Sequence, residues 1–206
     1  MRRIIKDYVP DFWNAYLRRH PKCQYDDLET TEEGKQLRNQ IREHMLVHQK
    51  RICCYCCKSI DGSNSHNEHI KPKASFPQDS MGYDNMLVSC TSNTCGMAKG
   101  NHYDPQTFIS PLQEDCEEHF RFLPDGRIEG KTDKGVATID CLNLNTYDLR
   151  QARKQQYNDC CDMARYMGKE YVFKEYMQEQ EGTLPRFVDM ITYFYNRGDF
   201  DADLYK

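Results

Sequence analysis

The chain has 206 residues, 38% of them hydrophobic and 12% aromatic, with a formal net charge of −4 at pH 7. That length admits one or two folded domains, and 14 Tyr with 9 Phe exclude the aromatic-poor composition of a disordered chain. No apolar run approaches the length of a membrane span, and Met1-Arg2-Arg3-Ile4-Ile5-Lys6-Asp7 lacks the apolar stretch of a secretory signal, so a soluble, cytoplasmic protein with no membrane contact is expected.

Residues 1–50 read as an N-terminal helical segment. Pro10 and Pro21 punctuate an aromatic and basic stretch. Thr30 with Glu33 resembles a capping box. Leu37, Ile41, Met45, His48 and Ile52 then recur at helical spacing, which predicts a helix over 31–50 running into Cys53. Residues 51–112 carry most of the chemistry, with a turn at Asp61-Gly62-Ser63-Asn64. Residues 113–145 predict a short β-hairpin: Phe120-Arg121-Phe122 and Arg127-Ile128-Glu129 alternate around the turn Pro124-Asp125-Gly126. Residues 146–206 read as helical again. Leu149, Ala152, Gln156, Cys160, Ala164 and Met167 share a face, Gly182 with Pro185 ends that helix, and Phe187, Met190, Ile191 and Phe194 mark a shorter one. The expectation is one unit of the α+β class.

Eleven cysteines need an explanation. An odd count in a reducing compartment argues for metal binding over a disulfide framework. Cys53-Cys54-Tyr55-Cys56-Cys57 offers two overlapping C-x-x-C registers, and Cys90 with Cys95 form a second pair. Two thiolates from each pair would close a tetrahedral structural Zn²⁺ site. Cys23, Cys116, Cys141, Cys160 and Cys161 have no such partners and are expected to act as small core hydrophobes.

Between the pairs stand Asn67-Glu68-His69-Ile70-Lys71-Pro72-Lys73 and Tyr83-Asp84-Asn85, and after them Lys99-Gly100-Asn101-His102-Tyr103-Asp104. Each is weak by itself, but the order resembles the HNH nuclease motif. More narrowly, the chain resembles the PtuB-like HNH family of retron and Septu anti-phage systems. The likeness runs through Met1-Arg2-Arg3-Ile4, Tyr25-Asp26-Asp27-Leu28, Cys53-x-Tyr-Cys56, Glu68-His69-x-x-Pro72, Tyr83-Asp84-Asn85, Cys95-Gly96-x-x-Lys99-Gly100-Asn101 and Phe108-Ile109-Ser110-Pro111-Leu112. It covers about the first two-thirds of the chain, and more loosely Leu142-Asn143-Leu144-Asn145 beyond it.

The resemblance implies a ββα-metal nuclease core with zinc on Cys53, Cys56, Cys90 and Cys95. It implies catalysis by His69 as general base, Asn85 orienting His69 through a hydrogen bond, and Glu68 reaching a catalytic Mg²⁺ or other divalent cation. Many HNH proteins carry a histidine directly after the last cysteine, where this chain has Gly96. The last ligand is therefore expected from Asn101, His102 or Asp104. Lys99, Lys71 and Lys73 are the phosphate-binding candidates.

A net charge of −4 gives no overall basic field for gripping a nucleic-acid substrate. The family implies a PtuA-like ABC-type ATPase as partner, and in some systems a reverse transcriptase with its RNA–DNA product. Tyr166, Tyr171, Phe173, Tyr176 and Met177 either form a partner patch or pack on the central module. The competing reading is a catalytically inactive, zinc-stabilised assembly module. A redox protein would need a βαβ context around Cys53–Cys57 that the pattern lacks.

Overall fold

The computed structural model describes residues 1–6 and 8–200; Asp7 and the end of the C-terminal segment, 201–206, lie outside the description. Helix α1 (Asp11–Arg19) fills the stretch between Pro10 and Pro21 and buries Trp13 and Tyr16. The Trp13 indole donates to the Met81 carbonyl at 3.1 Å. Helix α2 (Glu32–His48) starts one residue later than the expected capping box. Thr31 is the cap and accepts from the Gly34 amide at 3.0 Å, while Thr30 closes the preceding turn by donating to the Asp27 carbonyl. Glu33 does not reach back to the cap; it pairs with Arg19 at 2.9 Å. Leu37, Ile41 and Met45 face the core as their spacing predicts, His48 is half-buried, and Ile52 is buried beyond the helix end.

Strands β1 (Ser65–His69) and β2 (Met86–Cys90) pair antiparallel, with Ser65 opposite Cys90 and His69 opposite Met86. The Asp61–Asn64 turn feeds β1: the Asp61 carboxylate accepts from the Ser63 and Asn64 amides. Gln49, just past α2, fixes the helix to the hairpin. Its amide donates to the Val88 carbonyl at 2.8 Å and accepts from the Val88 N–H at 2.7 Å. A short helix, α3 (Cys95–Lys99), follows β2 and packs on it.

Strands β3 (Phe120–Phe122) and β4 (Ile128–Gly130) make a second antiparallel hairpin around Pro124-Asp125-Gly126. Helix α4 (Asp133–Cys141) then packs on β4, an element the alternating pattern did not reveal. The C-terminal helices are α5 (Tyr147–Met167), α6 (Lys169–Tyr176) and α7 (Val188–Arg197). Their division corrects the expected one. The long helix ends at Gly168, whose φ of 93° suits glycine, rather than at Gly182 and Pro185. The buried face of α5 is also rotated from the expected stripe. It holds Leu149, Arg153, Gln156, Tyr157, Cys160 and Cys161, and Met167 is exposed. Arg153 explains much of that rotation. Its buried guanidinium donates to the carbonyls of Gly126 at 3.1 Å and Leu144 at 2.8 Å, tying α5 to the second hairpin.

One hydrophobic cluster runs through every segment, from Met1 and Trp13 through Ile41, Leu87 and Ile109 to Leu149 and Met190. The class is therefore α+β, with two small sheets inside a helical surround. No helix among the described residues is long and apolar enough to cross a membrane.

Candidate functional site

The two cysteine pairs converge. The sulfurs of Cys53, Cys56, Cys90 and Cys95 all lie within 4.8 Å of one another, and all four residues are buried. Cys56 Sγ and Cys90 Sγ are 3.9 Å apart, against roughly 3.8 Å for sulfurs at opposite corners of a tetrahedral Zn–S site. Spacing alone left two registers open, and the fold selects Cys53 with Cys56. Cys54 and Cys57 are buried outside the cluster. Burial opposes ionisation of Cys53, but hydrogen bonds from Cys54, Cys56, Cys90 and Cys95 outweigh it and hold that thiol well below its usual range. Four soft, buried donors this close together can hold a metal ion such as zinc.

The cluster pins the open end of the first hairpin, where Ser65 pairs with Cys90, to α3. Cys90 ends β2, and Cys95, in a left-handed conformation at φ 58°, opens α3. The Gly96 amide donates to the Ser89 hydroxyl at 3.1 Å, and the Cys95 amide to the Leu142 carbonyl at 2.8 Å. Strand alternation then divides β1 between two faces. Glu68 and His66 share one, and His69 and Asn67 share the other.

Glu68 is buried and heavily bonded. Its Oε1 lies 2.9 Å from Lys99 Nζ and accepts from the Tyr55 hydroxyl at 3.0 Å, while Oε2 lies 3.3 Å from His66 Nε2. Burial alone would raise the Glu68 pKa. The His66 hydrogen bond and the Lys99 charge overcome it, and the carboxyl titrates below its usual value. Lys99 is itself only 1% exposed and also donates to the His69 carbonyl at 2.9 Å. It is therefore corrected from a phosphate contact to an internal cation, since its ammonium is fully engaged.

On the other face, the buried His69 ring meets the Tyr25 ring edge-on at 4.5 Å between centroids. His69 Nε2 lies 2.9 Å from the Ser80 carbonyl oxygen. A carbonyl only accepts, so Nε2 carries the proton and Nδ1 keeps the ring's lone pair. Burial lowers the His69 pKa, which keeps the ring neutral. The expected hydrogen bond from Asn85 to His69 is not formed. Asn85 instead accepts from the Lys71 amide at 2.8 Å and donates to the carbonyls of Lys71 at 2.9 Å and Asp79 at 3.2 Å. It staples the loop after β1 into a closed turn, and that loop presents Ser80.

His69 lines a groove of about 560 Å³ together with Tyr25, Lys35, Arg38, Arg42 and Lys73, and His66, although turned to the other face of β1, borders the same groove. Lys35, Arg38 and Arg42 recur along one face of α2, flanking the buried stripe of Leu37 and Ile41. The Arg38 guanidinium and the Lys73 ammonium both lie over the Tyr25 ring, at 5.1 and 5.6 Å. Arg38 also pairs with Glu29, and Lys73 with Asp26. These α2 cations were missed in the sequence, although their i, i+3, i+7 spacing on the polar face was available. A net charge of −4 thus coexists with a local basic lining.

The other candidates do not assemble. Asn101, His102 and Asp104 are exposed on the loop after α3, and Asp104 caps that loop by accepting from the Gln106 amide at 2.8 Å. Among the described residues, the four-cysteine cluster is the only grouping of three or more His, Cys, Asp or Glu side chains close enough to share an ion. Glu68, His102 and Asp104 are therefore not brought together, because Glu68 is held inward by Lys99 and Tyr55. Lys71 pairs with Asp79 at 3.0 Å and lines a separate cavity with Trp13 and Tyr103. Of the C-terminal aromatics, Tyr166, Tyr171 and Phe173 are exposed, whereas Tyr176 and Met177 pack against the core.

An α+β protein with a four-cysteine cluster strapped to a histidine-bearing hairpin is the class that these features define. No family model matches the chain. It is 30% identical over 111 residues to the Septu protein PtuB of Bacillus thuringiensis, covering 52% of this chain and 42% of that one. It is 26% identical, over an alignment of 212 positions, to a retron Ec83 protein of Escherichia coli provisionally designated an HNH endonuclease, covering 78% of this chain and 81% of that one. It is 28% identical over 117 residues to the Septu protein PtuA of Bacillus mycoides, covering 47% of this chain and 16% of that one. The chain thus spans less than half the length of either Septu relative and about four-fifths of the retron one. It is a relative of the retron and Septu HNH-type proteins.

Proposed function

We propose that the chain is a metal-dependent HNH endonuclease that hydrolyses phosphodiester bonds, with β1, β2 and α3 as its ββα-metal core. The observation that carries the reading is His69. It is neutral, fixed in one tautomer by the Ser80 carbonyl, and set in a groove lined by Lys35, Arg38, Arg42 and Lys73. Two functions of such a site follow from these groups. The cations hold the phosphates of a strand along α2. The lone pair on Nδ1 of His69 accepts a proton from water as the water attacks phosphorus. Asn85 and the Ser80 loop keep that ring from turning, which is a positioning role. Zinc on the four cysteines fixes the hairpin and takes no part in the reaction. A divalent cation, when bound, supplies Lewis acidity at the scissile phosphate and charge stabilisation for the leaving oxygen.

The designations of the retron and Septu relatives support a role in anti-phage defence. In this reading the chain is the cutting component beside a PtuA-like ABC-type ATPase, in some systems with a retron reverse transcriptase and its RNA–DNA product, and it acts in the cytoplasm. The exposed Tyr166, Tyr171 and Phe173 are the surface offered to the ATPase. The alternative, an inactive zinc-stabilised assembly module, has use for the cysteines but none for a tautomer-fixed histidine in a basic groove. The deciding experiment is incubation of the zinc-loaded protein with labelled DNA and RNA pools, alone and with the ATPase.

A further inference from the structure

His66 belongs neither to the cysteine cluster nor to the hydrogen bonds that fix His69, yet it stands beside Glu68 in a particular way. The two residues are two apart on β1 and so share a face. His66 Nε2 and Glu68 Oε2 are 3.3 Å apart. Two donors at about 2.1 Å from one octahedral ion are separated by roughly 3.0 Å, so this spacing is already close to that of a chelating pair.

The surroundings fix that pair. Lys99 and Tyr55 occupy Glu68 Oε1, at 2.9 and 3.0 Å, which leaves Oε2 turned to His66. Hydrogen-bonded partners of this kind orient a ligating carboxylate. Gly96 borders the same spot from α3. A Cβ there would lie 2.2 Å from Glu68 Oε2 and 2.8 Å from His66 Nε2. Any other residue at 96 would have to displace one donor or the other. The imidazole of His66 therefore occupies space next to the last cysteine that a side chain at 96 would otherwise fill.

We infer that His66 and Glu68 form a divalent-cation site on β1, kept open by Gly96, with water completing the coordination. This names the ion's ligands within the nuclease reading and rests on that reading only for what the ion does. A nitrogen–oxygen donor pair favours a first-row transition ion over Mg²⁺, since imidazole suits the former and all-oxygen sets the latter. The Lys99 charge behind Glu68 offsets the carboxylate, so affinity is modest for the free protein and rises when a nucleic-acid phosphate adds negative charge.

The test is Mn²⁺ titration of the zinc-loaded, full-length protein, followed by electron paramagnetic resonance, with zinc content and melting curves as checks of folding. One Mn²⁺ per chain is expected beyond zinc, and Mg²⁺ should compete poorly. His66→Ala should weaken Mn²⁺ binding by more than the roughly 10–100-fold typical of losing a residue that only supports a ligand. Gly96→Ala should do likewise, and His102→Ala should change nothing. In the unsubstituted protein, Mn²⁺ should broaden the nuclear magnetic resonance signals of the His66 ring before those of His102, a readout that does not depend on a variant folding. Mn²⁺ affinity unaffected by His66→Ala, or broadening at His102 ahead of His66, would overturn the site whatever the protein cuts. Binding that follows His66 in a protein that cuts no nucleic acid would keep the site and remove the nuclease reading.

Discussion

His69 Nε2 and the Ser80 carbonyl oxygen are 2.9 Å apart, and that single hydrogen bond sets which nitrogen of the ring is free. Ser80 is not held by accident. The carbonyl of its neighbour Asp79 accepts from Asn85, and Asn85 also bonds both backbone groups of Lys71 across the loop. Asn85→Ala should therefore loosen the loop rather than remove a catalytic group. The expected result is a stability loss of about 1–3 kcal/mol, the usual cost of orphaned buried hydrogen-bonding groups, with a smaller loss of cleavage than His69→Ala causes. Thermal melts and cleavage rates on the two variants check the order.

Zinc removal should undo the central module. One tightly held zinc per chain is expected, and binding of a structural zinc contributes about 10–16 kcal/mol in small zinc domains. Cys90→Ser, or a strong chelator, should release the metal and unfold the hairpin; Cys54→Ser should leave the metal in place, because Cys54 lies outside the cluster. Elemental analysis with circular dichroism checks both outcomes. A folded, metal-free preparation would contradict the account.

Lys99 and Glu68 are a buried ion pair, so removing one partner strands the other charge. Lys99→Met should destabilise the fold by roughly 3–5 kcal/mol. Denaturant unfolding measures this. A stable Lys99→Met variant with weakened nucleic-acid affinity would instead restore Lys99 to the phosphate-binding role that the sequence suggests.

The basic face of α2 should govern the salt dependence of binding. Taking away one cation that pairs with a phosphate lowers the slope of log affinity against log salt by about 0.7–0.9. Lys35→Ala and Arg42→Ala should each flatten the slope by that order, because both line the groove. Lys154→Ala, on α5 and outside the groove, should not. Fluorescence anisotropy across a salt series separates them.

What the sequence revealed follows the range of the interactions. The cysteine pairs and the hairpin turns are local, and spacing exposes them. Thr31 in place of Thr30 and Gly168 in place of Gly182 are boundary shifts decided by which hydroxyl or backbone angle the packed helix can use. Lys99 reads as a surface lysine because nothing nearby in the chain shows that Glu68 waits for it across the hairpin. The Asn85 hydrogen bonds were misread for the same reason, since the partners are backbone groups, which carry no residue label. The α2 cations could have been found by reading the polar side of the helix as closely as the apolar side.

The central claim is that His69 activates water in the α2 groove. The most direct measurement compares cleavage of labelled nucleic acid by the zinc-loaded protein and by His69→Ala, both with the ATPase present and with a divalent cation supplied. Loss of a general base typically costs ~10²–10⁴-fold. The account predicts a loss in the upper part of that range, with zinc content, melting temperature and nucleic-acid affinity unchanged. Cleavage by His69→Ala within a few-fold of the unsubstituted protein would contradict it.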